Sequence, residues 1–155
     1  MKRIPARRIP MKWTECAITD LKKYRAMNES LTNIPEKIQI LKIRFESVKS
    51  GSSDSTPVQG GGSRAEDALL DNIVERERLK LVYHADRRLV RLIERGLAKL
   101  SEEERLVIDL FYIDRPHNYI DELIKRLGYE RAQIYRIKDN ALYKFTVTMY
   151  GITEY

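Results

Sequence analysis

The chain has 155 residues, enough for one domain or two small ones, and holds 29 Lys and Arg against 23 Asp and Glu, a formal charge of +6. Its single cysteine, Cys16, excludes an intramolecular disulfide and argues for a reducing compartment. No apolar run approaches the ~20 residues that a membrane span needs, and no apolar core follows the positive charges near residue 1, so neither a membrane helix nor a secretory signal is expected.

Residues 1–13 read as a basic tail. Lys2, Arg3, Arg7, Arg8 and Lys12 face no acid there, a charge pattern that suits phosphate contact. Trp13 beside them suits an apolar seam. Residues 14–100 read as a helical, coiled-coil-like region. A first helix is expected from Thr14 to about Leu31, carrying Leu21, Tyr24 and Met27. Asn33 and Pro35 then suit the start of another, because proline is tolerated in a first helical turn; Ile38, Leu41, Phe45 and Val48 share one side of it. Residues 50–64, with five Ser, four Gly and a Pro between Ser50 and Ser63, read as a flexible linker. A long helix follows over 65–99, roughly 50 Å at 1.5 Å per residue. Its expected apolar face is Leu81, Val82, Ala85, Leu89, Leu92, Ile93 and Gly96. Such a helix needs the helix ending near Lys49, a second copy of the chain, or both, to cover its stripe. A homodimer is therefore expected.

The segment 101–151 is the most specific part. Ser101 and Glu104 form a capping box that starts a helix with Leu106, Val107, Leu110 and Phe111 on one side. Pro116 bars its continuation, and Asn118 suits the cap of the next helix. In that helix Ile120, Leu123, Ile124 and Leu127 fall at i, i+3, i+4 and i+7. Gly128 follows, where a left-handed cap costs least. Glu130 then opens a longer helix, with Ile134, Ile137, Ala141 and Phe145 as its buried stripe. Two helices joined by so tight a turn make a helix-turn-helix DNA reader; a helical hairpin with a merely solvated outer face is the alternative.

The run Glu130-Arg-Ala-Gln-Ile-Tyr-Arg-Ile-Lys-Asp-Asn-Ala-Leu-Tyr-Lys-Phe145 resembles the recognition helix of region four of bacterial primary sigma factors, which ends in Ala-Leu-x-Lys-Leu. Ala141, Leu142 and Lys144 match that ending, and Phe145 replaces its leucine. Most of the chain, including Pro57-Val-Gln-Gly-Gly-Gly62 and Met149-Tyr-Gly151, also resembles small phage regulators of the ArpU and RinA type. The resemblance implies an all-α fold with a C-terminal helix-turn-helix, activation of phage late genes in a bacterial cytoplasm, and contact with host RNA polymerase. The acid-rich stretch 101–128, net −3, would then offer the polymerase-facing surface. Ala132, Glu130 and Arg136 depart from the sigma pattern of a charged reader, Ser or Thr, and Gln, so no promoter sequence carries over.

By face and by resemblance, Arg131, Ala132 and Arg136 are expected at base edges of double-stranded DNA. Gln133, Tyr135 and Lys138 are expected on phosphates, with Lys144 further along the same helix. Little else in the chain suggests chemistry. His84 and His117 belong to no ligand-spaced set, Asp109, Asp114, Asp121 and Glu122 suit solvated faces and helix starts, and Gly60-Gly-Gly62 lacks the Lys-Ser/Thr of a phosphate loop. No catalytic residue, metal or cofactor is expected, and an enzyme is the least supported class. The alternatives to a transcriptional regulator are a phage small terminase subunit, which would form a ring of many copies, and a structural coiled-coil adaptor without salt-sensitive DNA affinity.

Overall fold

The computed structural model describes residues 12–51 and 62–151. Among these residues the fold is all-helical, with five α-helices and no strand. Helix α1 spans Trp13–Gly51 and α2 spans Gly62–Leu97; α3 covers Glu102–Ile108 and runs on as a π-helical turn, Asp109–Ile113; α4 is Tyr119–Leu127 and α5 is Arg131–Tyr150. The ends of the expected linker, 50–51 and 62–64, belong to α1 and α2, while residues 52–61 lie outside the described residues. So do Lys2, Arg3, Arg7 and Arg8 of the basic tail. No helix among the described residues is long and apolar enough to cross a membrane.

The two helices expected around Pro35 are one helix of 39 residues, with the proline inside it. Pro35 has no N–H to give the Leu31 carbonyl, a loss of about 3 kcal/mol in a helix interior. Neighbouring residues offset it: Ile34 is buried, and Leu31 and Ile38 on either side are half-buried.

The described residues form two compact units, one of Ala26–Val90 and one of the remainder. In the first, α1 and α2 run antiparallel. Ser30 donates to the Asp86 carboxylate at 2.8 Å, the Asn72 amide donates to the Leu41 carbonyl at 2.8 Å, and the Arg76 guanidinium lies 5.1 Å from the centre of the Phe45 ring. On α1 the side facing this seam is Met27, Leu31, Ile34, Ile38, Leu41 and Phe45, alternating three and four residues apart. On α2 the same spacing runs through Leu69, Asn72, Arg76, Leu79, Tyr83, Asp86 and Val90. That line differs from the expected face of α2. Leu81 and Val82, expected to pack, are exposed, as is Ala85. Asn72, Arg76 and Asp86 interrupt the true seam with polar groups, which hid it from a reading based on apolar spacing.

The second unit joins the start of α1, the end of α2 and the three later helices. Ala17, Leu21, Ile93, Leu97, Ile108 and Phe145 are buried within it. Trp13 packs its ring 5.0 Å from that of Tyr150, whose hydroxyl donates to Asp20. Arg25 pairs with Asp114 at 2.5 Å. The contacts of Tyr150 with Trp13 and Asp20 hold the C-terminal end of α5, and its N-terminal half meets the smaller core described next.

Candidate nucleic-acid interface

That smaller core is a cluster of Val107, Leu110, Phe111, Ile120, Leu123 and Ile134, closed by the half-buried Leu127, Tyr129 and Ile137. The capping box at its head is formed in full. The Ser101 hydroxyl accepts from the Glu104 N–H at 3.2 Å, and the Glu104 carboxylate accepts from the Ser101 N–H at 2.9 Å. The π turn ends where the Asp114 N–H reaches back to the Asp109 carbonyl. Burial pushes the Asp109 carboxyl up, against the pull of Arg105, which donates to it at 3.0 Å. Asn118 stands at the start of α4 but makes no side-chain cap bond; its backbone carbonyl takes the Glu122 N–H instead.

Between α4 and α5 lie three residues. Gly128 adopts the left-handed conformation, φ 71°, and its N–H closes α4 on the Ile124 carbonyl. A residue with Cβ is strained at such a φ, so the turn depends on this glycine. Tyr129 ties the turn to α3 by donating its hydroxyl to Glu103 at 3.1 Å, and that carboxylate pushes the phenol pKa up. Glu130, in extended backbone, starts α5 without a side-chain cap bond. The first amides of α5 therefore have no side-chain acceptor at the positive end of its dipole.

Ile134, Ala141 and Phe145 are buried, as the spacing predicts, and Leu142 and Thr146 join them. This turns Arg131, Ala132, Gln133 and Arg136 outward, all exposed at the N-terminal half of α5. Tyr135 is partly committed, its ring edge-on to Phe111 at 5.6 Å.

Three of the lysines expected on DNA have partners within the fold. The Lys138 side chain is only 19% exposed; its ammonium pairs with Asp139 at 2.5 Å and lies near the rings of Tyr135 and Phe111. Burial pushes its pKa down, but Asp139 together with Tyr112 and Tyr135 more than offsets this and the value is raised, so the charge is kept. Lys144 reaches from α5 to Glu104 at 2.5 Å and fastens α5 to the capped start of α3. Lys12, at the end of the tail, pairs with Glu15 at 3.2 Å on an exposed surface.

Helical spacing from Ala132 and Arg136 extends the outward stripe to Asn140 and Tyr143, both exposed, with Tyr143 at 61%. Neither was singled out in the sequence, although positions i+4 and i+7 from Arg136 would have located them. Lys125 and Arg126 stand exposed in the last turn of α4, with Arg126 paired to Glu122. The Arg115 guanidinium covers Tyr119 at 4.6 Å. Among the described residues, no three His, Cys, Asp or Glu side chains converge as metal ligands would. In comparisons with known proteins, no family model, no curated protein and no solved structure matches the chain.

Proposed function

We propose that the chain is a sequence-specific double-stranded DNA-binding regulator. On this reading α4, the glycine turn and α5 are a helix-turn-helix, and α1 with α2 is a coiled-coil hairpin. The observation that carries it is the outward presentation of Arg131, Ala132, Gln133 and Arg136 on a helix start held by a closed core and a three-residue turn. An α-helix of this kind fits the major groove with its N-terminal residues at base edges. Arg131 and Arg136 each have the planar fork that holds guanine O6 and N7, worth about 1–3 kcal/mol of discrimination per pair. Ala132 suits a thymine methyl group, and Asn140 has the amide that reads adenine. Gln133 and Tyr135 hold phosphates and fix the register. Lys138 and Lys144 serve this surface indirectly, by orienting Tyr135 and by fastening α5.

The regulatory class rests on the sequence resemblance to sigma region four and to phage late-operon regulators, supported by the exposed acids Glu102 and Glu103 at the start of α3. Those carboxylates cannot face phosphates favourably, and they suit a basic surface on RNA polymerase. Lys2, Arg3, Arg7 and Arg8 would add phosphate contacts.

Selection of bound duplexes from a random pool by the full chain tests this function. Enrichment of one sequence, with log K falling linearly against log salt concentration, is expected. Failure to enrich any sequence, or affinity indifferent to salt, contradicts it.

A further inference from the structure

Helix α2 is apolar on two opposite sides. One side meets α1 along the seam through Leu79 and Tyr83. The other carries Leu70, Val74 and Leu81, which are 59%, 66% and 72% exposed, and the exposed Ala85 in line with them. Leu81 lies about 200° around the helix from Leu79, at 100° per residue. A helix with apolar stripes on opposite sides is an inner element of a bundle, and exposed leucines in a row rather than scattered singly mark an interaction surface.

Charge along the same helix says what covers it. Residues 64–77 of α2 hold five acids against two bases, and residues 78–90 hold four bases against one acid. The sign changes between Glu77 and Arg78, at the midpoint of the Val74–Leu81 interval. We propose that this face binds the same face of a second copy of the chain, antiparallel, about a two-fold axis beside Glu77 and Arg78. In that register Val74 stands level with the partner's Leu81, and Leu70 stands level with the partner's Ala85. The acidic half of each α2 lies along the basic half of the other. A parallel arrangement would set acid on acid and base on base, at a cost in repulsion. The two-fold is isologous, so the contact closes at two copies rather than propagating. This inference uses the hairpin alone and stands or falls apart from the DNA-reading proposal.

Sedimentation of the full chain at about 10 μM, in a range where protomer association is commonly seen, reads it directly. The native chain is expected at twice 18.3 kDa. Leu81→Glu is expected at 18.3 kDa with unchanged helicity, because the side chain it replaces is already in solvent in the single chain. Orientation is tested in a Cys16→Ser background under oxidation. Val74→Cys with Leu81→Cys together should give a covalent dimer, and Val74→Cys alone should not. A monomeric native chain, a ring larger than two copies, a dimer indifferent to Leu81→Glu, or efficient cross-linking by Val74→Cys alone would each overturn the proposal.

Discussion

Gly96 lies against the ring of Phe145 so closely that a Cβ on it would stand 2.7 Å from Cε2 and 2.9 Å from Cδ2. Phe145 is fully buried, so the ring has little room to yield. The contact explains why a glycine, costly in a helix interior, sits in the last turns of α2. Gly96→Ala gains about 1 kcal/mol of helix propensity but overpacks this site, which typically costs about 1–3 kcal/mol. A net loss of stability in urea is expected. Phe145→Leu, the residue of the sigma pattern, removes the clashing atoms, so the double variant should be more stable than the sum of the two single losses implies.

Glu104 takes part in two devices at once, the capping box with Ser101 and the bridge to Lys144. Burial pushes its pKa up, but the bonds from Lys144 and Ser101 outweigh this and the carboxyl is held below its usual value. A depressed folded pKa contributes stability that is present above the unfolded value, about 4.3, and is lost as pH falls through the folded one. The stability of the native chain over Glu104→Gln should therefore be largest near neutrality and vanish in acid, as read by urea midpoints across pH. An unchanged gap below the folded pKa would contradict the assignment.

Glu130 occupies the cap position of α5 without making a cap bond. Serine there can accept from the amides that Glu130 leaves open, and a good cap is worth about 0.5–2 kcal/mol. Glu130→Ser should raise the thermal midpoint. It should also strengthen binding to random duplex, because it removes a negative charge from the end of α5 proposed to approach phosphates.

Pro35 is exposed within α1. Pro35→Ala restores the N–H for the Leu31 carbonyl and should stabilise the chain by up to about 3 kcal/mol. A fall in the thermal midpoint would mean that the proline sets a bend the hairpin needs.

Arg136→Ala should weaken binding to the selected duplex by about 1–3 kcal/mol and change binding to random DNA much less. Equal losses on both would make Arg136 a phosphate contact. Lys144→Met should lower stability, through Glu104, while leaving the affinity of the folded fraction unchanged.

The C-terminal helices were legible because their signals are local. Ser101 with Glu104, Gly128 after Leu127, and the stripe of Ile134, Ala141 and Phe145 each announce a boundary or a face within a few residues. The hairpin was less legible because its seam is decided by the opposite helix. Asp86 counts as polar in sequence yet meets Ser30, and Arg76 lays its guanidinium on Phe45. Leu81 looks like core and is not. Pro35 reads as a helix start because proline is tolerated in a first helical turn; only the burial of Ile34 beside it shows why the helix runs through. On α5, the face could be deduced from spacing, but the pairing of Lys138 with Asp139 and of Lys144 with Glu104 depends on how the helices meet.

The most direct measurement is a map of backbone amide shifts in the full chain as the selected duplex is added. The largest changes are expected from Arg131 to Arg136, extending to Asn140, with the Leu123 and Ile134 core little moved. Changes confined to other surfaces, with Arg131–Arg136 silent at saturation, would contradict it.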